Sequence, residues 1–251
     1  DMNTMKTRMA AIAASAVLAA CGGGDDSTTT VSAPTASPTG LWTGTTNTNR
    51  ALTGVVLGDG THYVLYSMIG IPSIIAGVVQ GTGAMSGSTF SSNNARDFNL
   101  ESASVLPATL SANVVTKQSF TGSISYSSGA NSFTSTYDPV SDTPAALPTV
   151  QGTYTGQVVT SAGSESATLV VASTGALSGT GTSGCKVSGT VTARTDVNAY
   201  SFTLSFGPAP CLFAGQTFSG VAGFNATAKR LYAAAPNSTR TDGILFVGTK
   251  P

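Results

Sequence analysis

The sequence predicts an all-β protein of two antiparallel lobes, and three observations predict it. Tyr200, Phe202, Leu204 and Phe206 alternate with Ser201, Thr203 and Ser205, and Phe120, Gly122, Ile124 and Tyr126 alternate with Thr121, Ser123 and Ser125. One dry face and one wet face is the pattern of antiparallel sheet. Turn signals separate such runs, at Gly58-Asp59-Gly60, Ser128-Gly129, Thr174-Gly175 and Asp242-Gly243. Charged residues make up only 9% of the chain, and the abundant Ser, Thr and Gly suit exposed sheet, in which Thr is favoured, better than helix.

The chain begins differently. From a start at Met5, Lys6 and Arg8 form a basic segment, and residues 9–20 are apolar apart from Ser15. That run is too short to span a bilayer, which takes about 20 apolar residues, and it reads as a signal peptide over residues 1–20. Its end, Val17-Leu18-Ala19-Ala20-Cys21-Gly22, resembles the processing site of a bacterial lipoprotein. The resemblance implies cleavage before Cys21 and a covalent lipid on that cysteine, with several acyl chains holding the protein to a membrane. In Gram-negative lipoproteins an Asp after the cysteine commonly retains the protein at the inner membrane. Gly22 stands there in this chain, so the outer membrane is the implied location. The alternative is an ordinary secretory signal in which Cys21 has no role.

Residues 21–39 are rich in Gly, Ser, Thr, Pro and Asp, with Val31 the only large apolar residue. Such a stretch buries too little to offset its ordering entropy, which predicts a flexible tether. The first β lobe follows over 40–138. Within it, residues 68–75 (Met-Ile-Gly-Ile-Pro-Ser-Ile-Ile) are unusually apolar for a loop. Residues 138–148 carry three prolines, which excludes a central strand, so a linker is placed at 139–148. The second lobe, 149–251, divides into eight strands near 151–160, 165–172, 175–183, 186–193, 198–206, 216–224, 229–235 and 243–250. Eight consecutive antiparallel strands close into an up-and-down barrel without exposed edges. Ile244 and Phe246 on one face of the last strand, with Leu245 and Val247 on the other, predict packing against the barrel core and against the first lobe.

Short stretches recur between the lobes. Gly40-Leu41-Trp42-Thr43-Gly44 matches Gly152-Thr153-Tyr154-Thr155-Gly156. Weaker echoes pair Gly83–Gly87 with Gly175–Gly179, 120–125 with 187–192, 133–137 with 202–206, and Leu65-Tyr66 with Leu231-Tyr232. Trp42 and Tyr154 are expected to plug the ends of their lobes. After lipidation Cys185 and Cys211 remain as an even pair in an exported protein, which predicts a structural disulfide closing about 27 residues and worth roughly 3.5 kcal/mol.

The charges exclude nucleic acid. Without residues 1–20, nine basic residues face ten acidic ones, and no basic footprint appears. His62 is the sole histidine. Its place after Gly58-Asp59-Gly60-Thr61 suggests an exposed strand start, the other reading being a base paired with Asp59. One histidine is too few for a His-based zinc site, and no nucleophile elbow, calcium loop or phosphate loop occurs. Asp97 and Glu101, beside Arg96, read as a surface salt-bridge cluster. The chain therefore predicts no enzyme, no metal and no cofactor beyond the lipid on Cys21.

Phe218-Ser219-Gly220-Val221-Ala222 and the closing Gly243-Ile244-Leu245-Phe246-Val247-Gly248-Thr249-Lys250 resemble the C-terminal barrels of the transferrin-binding protein B and factor H-binding protein group. That resemblance implies a lipid-anchored barrel whose loops bind a protein. No residue of this chain matches the group's binding residues, and their handle domains and lysine-rich surfaces are missing. The expectation is a non-enzymatic binding protein of the bacterial envelope, anchored in the outer membrane through Cys21, that offers loops to an extracellular or envelope protein or a small ligand. A structural or assembly lipoprotein is the alternative, and a small hydrolase or enzyme inhibitor is a further one.

Overall fold

A computed structural model describes residues 35–251, so the signal peptide, Cys21 and residues 21–34 of the expected tether lie outside the described residues. The first nine strands are β1 (Gly40–Thr46), β2 (Ala51–Val56), β3 (Thr61–Met68), β4 (Ile71–Thr82), β5 (Ala84–Ser86), β6 (Thr89–Asn99), β7 (Ser104–Val115), β8 (Ser119–Tyr126) and β9 (Gly129–Asp138). They form one antiparallel sheet in the order β4-β3-β2-β1-β9-β8-β7-β6-β5. Residues Gly77 to Gln80 of β4 also pair with Arg96 to Asn99 of β6, and this pairing closes eight strands into a ring. Strand β5 continues β4 beyond Gly83 and pairs only with the start of β6, making a short arm. A side chain at Gly83 would strike Phe90, so the bend needs glycine.

The first lobe is thus a second closed barrel, although its sequence is less regular. The cause lies in β6, whose register against β7 shifts between Ser92 and Ala95. Phe90 and Ser92 are buried before this bulge, Ala95 and Asp97 after it. The slip of one residue interrupts the period-2 pattern.

The second barrel comprises β10 (Gly152–Thr160), β11 (Gly163–Val171), β12 (Ala176–Gly181), β13 (Lys186–Ala193), β14 (Tyr200–Phe206), β15 (Thr217–Asn225), β16 (Arg230–Pro236) and β17 (Gly243–Thr249). It closes in sequence order, with β17 returning to β10. Cys185, at the start of β13, is bonded to Cys211 in the loop after β14. Of the sequence echoes, only the Trp42 and Tyr154 segments occupy equivalent strands, the first of each ring. The others fall on non-equivalent strands, such as β8 against β13.

Each barrel has its own core, and a third apolar cluster lies between them. Strand alternation builds it. On β3, Val64 and Tyr66 enter the first core while Tyr63 and Leu65 face the second barrel. On β17, Ile244 and Phe246 enter the second core while Leu245 and Val247 face the first barrel. Polar latches add to this contact: the Gly58 amide donates to Asp196 Oδ2 at 2.7 Å, and Arg240 Nη2 donates to the Gln80 carbonyl at 2.7 Å. Burying a large apolar side chain is worth about 2 kcal/mol, so this interface joins the barrels firmly.

The proline-rich segment is more than a bare linker. It forms a 3-10 turn (Pro139–Asp142) and the one-turn helix α1 (Leu147–Val150). Asp138 caps the first by accepting from the Val140 amide. Val150 is buried in the second core, with Ala145 and Leu147 packed beside it. The segment therefore stoppers one end of the second barrel. The end of the expected tether behaves similarly, since Ala36 packs on the first core and Pro38 is buried.

Candidate functional site

Because both barrels turn apolar side chains outward at their junction, the surfaces do not meet everywhere. They leave a crevice of about 560 Å3. That size lies within the range of small-molecule sites, roughly 300–1,000 Å3. Tyr63 and Leu65 of β3 and Val55 of β2 form one wall; Val221 and Gly223 of β15 with Tyr232 of β16 form the other. The rim is polar and neutral, with Thr143 and Thr149 from the connecting segment, Asn198 from the loop between β13 and β14, and Asn225 from the end of β15.

Asp138 is the only charged residue on the lining, and its carboxylate is occupied by the Val140 amide. Burial pushes the Tyr63 phenol up to about 12, with the Asp59 charge adding to the shift and Arg240 and Arg194 opposing it. Tyr63 therefore stays a neutral hydroxyl. A side chain at Gly223 would meet nothing within 4 Å, so this glycine leaves the centre of the crevice open. Such a site can hold a neutral ligand of mixed polarity, but it offers no acid–base pair.

The residues singled out by sequence lie elsewhere. His62 is not an exposed strand start but wholly buried, at 0% exposure. Alternation on β3 puts His62 in phase with Val64 and Tyr66 and so carries it into the first barrel, edge-on to Phe90 at 5.7 Å. Neither ring nitrogen has a hydrogen-bond partner. Burial lowers its pKa to about 4, Arg240 adds to this, and the nearby Gly60 carbonyl opposes it without forming a normal hydrogen bond. Asp59 instead accepts from the Thr61 amide, so the two do not form a catalytic pair.

Asp97 is also not part of a surface salt-bridge cluster. The β6 bulge turns it inward, where it accepts from Tyr66 Oη at 2.7 Å and Tyr126 Oη at 3.0 Å. Burial raises its pKa, although both tyrosines and the Arg50 charge pull it down. Glu101 pairs with Arg50 at 2.7 Å rather than with Arg96. Trp42 and Tyr154 are core residues of their barrels. Among the described residues, no three His, Cys, Asp or Glu side chains converge to hold a metal.

The second barrel contains a cavity of about 70 Å3, lined mainly by apolar side chains such as Leu177, Phe202 and Phe246. An apolar cavity of about 150 Å3 holds a ligand the size of benzene; this one is about half that size and is a packing gap. The sequence carries a signal for the crevice that alternation alone conceals. Strand β3 reads His-Tyr-Val-Leu-Tyr across 62–66, apolar on both faces like β17, and a doubly apolar strand in a barrel needs a second packing partner.

No family model and no curated protein matches the chain. Solved structures with some likeness include isotype 1 transferrin binding protein B from serogroup B Neisseria meningitidis, at 11% identity over 80% of this chain with a TM-score of 0.31. Two substituted forms of transferrin binding protein B from Haemophilus parasuis Hp5 match at 9% and 10% identity over 80% of this chain, each with a TM-score of 0.28. This chain spans 66, 65 and 60% of the lengths of those three. Likeness at this level transfers no residue and no activity, and the two barrels rest on their own strand pairing.

Proposed function

We propose that this chain is a non-enzymatic binding protein of the bacterial envelope, lipid-anchored through Cys21, that holds a neutral small molecule in the crevice between its barrels. The open crevice at Gly223, walled by both barrels and free of uncommitted charge, carries this reading. The lipoprotein-like site at Leu18-Ala19-Ala20-Cys21 supports the anchor and the outer-membrane location. The two candidate catalytic groups, His62 and Asp97, are sealed inside the first barrel, which supports binding over hydrolysis.

Native mass spectrometry of the protein recovered from its host tests the crevice. The wild type should carry a non-covalent adduct that Gly223→Trp, which fills the crevice from a position with free space, lacks. A wild type without adduct, or an adduct retained by the variant, overturns the site. Denatured intact mass tests the anchor separately: the wild type should carry lipid mass that Cys21→Ala loses.

A further inference from the structure

The apolar run at 68–75 has no part in the crevice. Its residues 69–74 form the tip of the β3–β4 hairpin, the turn and the first four residues of β4, and all six are exposed. Ile69, Ile71 and Ile74 are 58, 43 and 47% exposed, while the buried part of β4 begins only at Ala76. The tip is fastened in place: the Gly70 amide donates to the Asn49 carbonyl at 3.1 Å, and Arg230 Nη2 donates to the Ser73 carbonyl at 3.1 Å. Three isoleucines are thus held out to solvent on a tethered projection.

On its second-barrel side the projection is flanked by cations. Lys229 ends the turn between β15 and β16 and Arg230 opens β16, and the Lys250 amide bonds the Lys229 carbonyl. The Lys250 ammonium is spent on the Thr149 and Gln151 carbonyls at 2.9 and 3.0 Å, whereas among the described residues Lys229 and Arg230 have no ion-pair partner. Arg50, on the other side, is neutralised by Glu101.

We propose that the tip is a peripheral contact for an anionic lipid bilayer, with Ile69, Ile71 and Ile74 entering the acyl boundary and Lys229 and Arg230 meeting lipid phosphates. Apolar side chains beside a cationic face are the combination that binds such surfaces. The convex shape favours a bilayer over a protein, because a fluid apolar phase closes around a projection whereas a protein partner must supply a matching groove.

Co-sedimentation of the mature chain, residues 21–251 carrying Cys21→Ser so that neither the signal peptide nor the lipid is present, tests this directly. Vesicles of phosphatidylcholine alone are compared with vesicles containing about one-third phosphatidylglycerol. Binding is expected to the anionic vesicles, weakened at high salt and by Lys229→Gln. The triple substitution Ile69→Ser, Ile71→Ser and Ile74→Ser should lower the partition coefficient about tenfold or more. These positions are exposed, so an unchanged circular dichroism spectrum accompanies the loss. No binding to anionic vesicles, equal binding to phosphatidylcholine, or binding indifferent to the triple substitution each overturns the proposal. Loss of a protein cross-link in the triple variant without any vesicle binding would assign the tip to a protein instead.

Discussion

Trp42 and Tyr154 hold the same position in the two barrels and make the same contact. Trp42 Nε1 donates to the Pro38 carbonyl at 2.8 Å, and Tyr154 Oη donates to the Val150 carbonyl at 2.6 Å, each four residues upstream. A large buried aromatic with a polar tip needs a partner for that tip. In both barrels the chain entering the first strand supplies it, so each ring is stoppered by its own preceding segment. The shared Gly-x-aromatic-Thr-Gly sequence encodes this arrangement, which explains why Trp and Tyr can exchange within it.

Removing the polar tip should therefore loosen a stopper without emptying the core. Tyr154→Phe leaves the Val150 carbonyl unpaired in a buried site and should cost about 1–2 kcal/mol in urea unfolding. Hydrogen exchange should rise within residues 145–151. An unchanged midpoint with unchanged exchange would show that the contact does not hold the segment.

His62 makes stability fall with acid. Its folded pKa, about 4, lies below the ordinary 6.5, so the native state resists protonation and the unfolded state does not. The contribution is complete above about pH 6.5 and is lost as pH falls toward 4, by about 3 kcal/mol at that point. His62→Leu removes both unpartnered nitrogens and should flatten urea midpoints between pH 7 and 4.5. A variant as acid-sensitive as wild type would assign the loss to other groups.

Asp97 has the opposite sign. Burial raises its folded pKa, so its ionisation weakens the native state as pH rises past the ordinary carboxylate range, while its two tyrosine hydrogen bonds hold the first barrel together. Asp97→Ala strands two hydroxyls and should cost about 2–4 kcal/mol. Asp97→Asn keeps an acceptor and removes the charge, so it should lose much less. Equal losses in the two variants would mean that shape, and not hydrogen bonding, explains the site.

How much of this was legible in the sequence differs between the barrels. All eight strands of the second lie within a few residues of their predicted runs, because apolar and polar residues alternate along most of them and every turn but the one at 226–229 carries a Gly, Asp or Ser signal. The first barrel was legible as sheet, but its closure was not. Closure depends on β4 meeting β6, and both the bend at Gly83 and the bulge after Ser92 interrupt the pattern that would have shown it. The same bulge reversed the expected side of Asp97. His62 was misplaced for a simpler reason: its burial is set by the phase of β3, and the phase was obscured by apolar residues on both faces. The crevice depends on two surfaces far apart in sequence, so no local pattern contains it.

The disulfide closes the other end of the second barrel. Cys211 lies in the loop between β14 and β15, and in that loop Phe213 packs on Phe206 and Phe218 with ring centroids 5.4 and 4.8 Å apart. The bridge to Cys185 holds this aromatic cover over a strand start on the far side of the loop. The double variant Cys185→Ser and Cys211→Ser should lose about 3.5 kcal/mol on the chain-entropy model, read as a lowered midpoint in urea. Its first effect should be local, because freeing the loop exposes Phe213 before the barrel opens. Limited proteolysis should therefore cut within 207–216 in the variant at urea concentrations where the wild type is intact. Cleavage elsewhere first would mean that the bridge stabilises the barrel as a whole and not its cover.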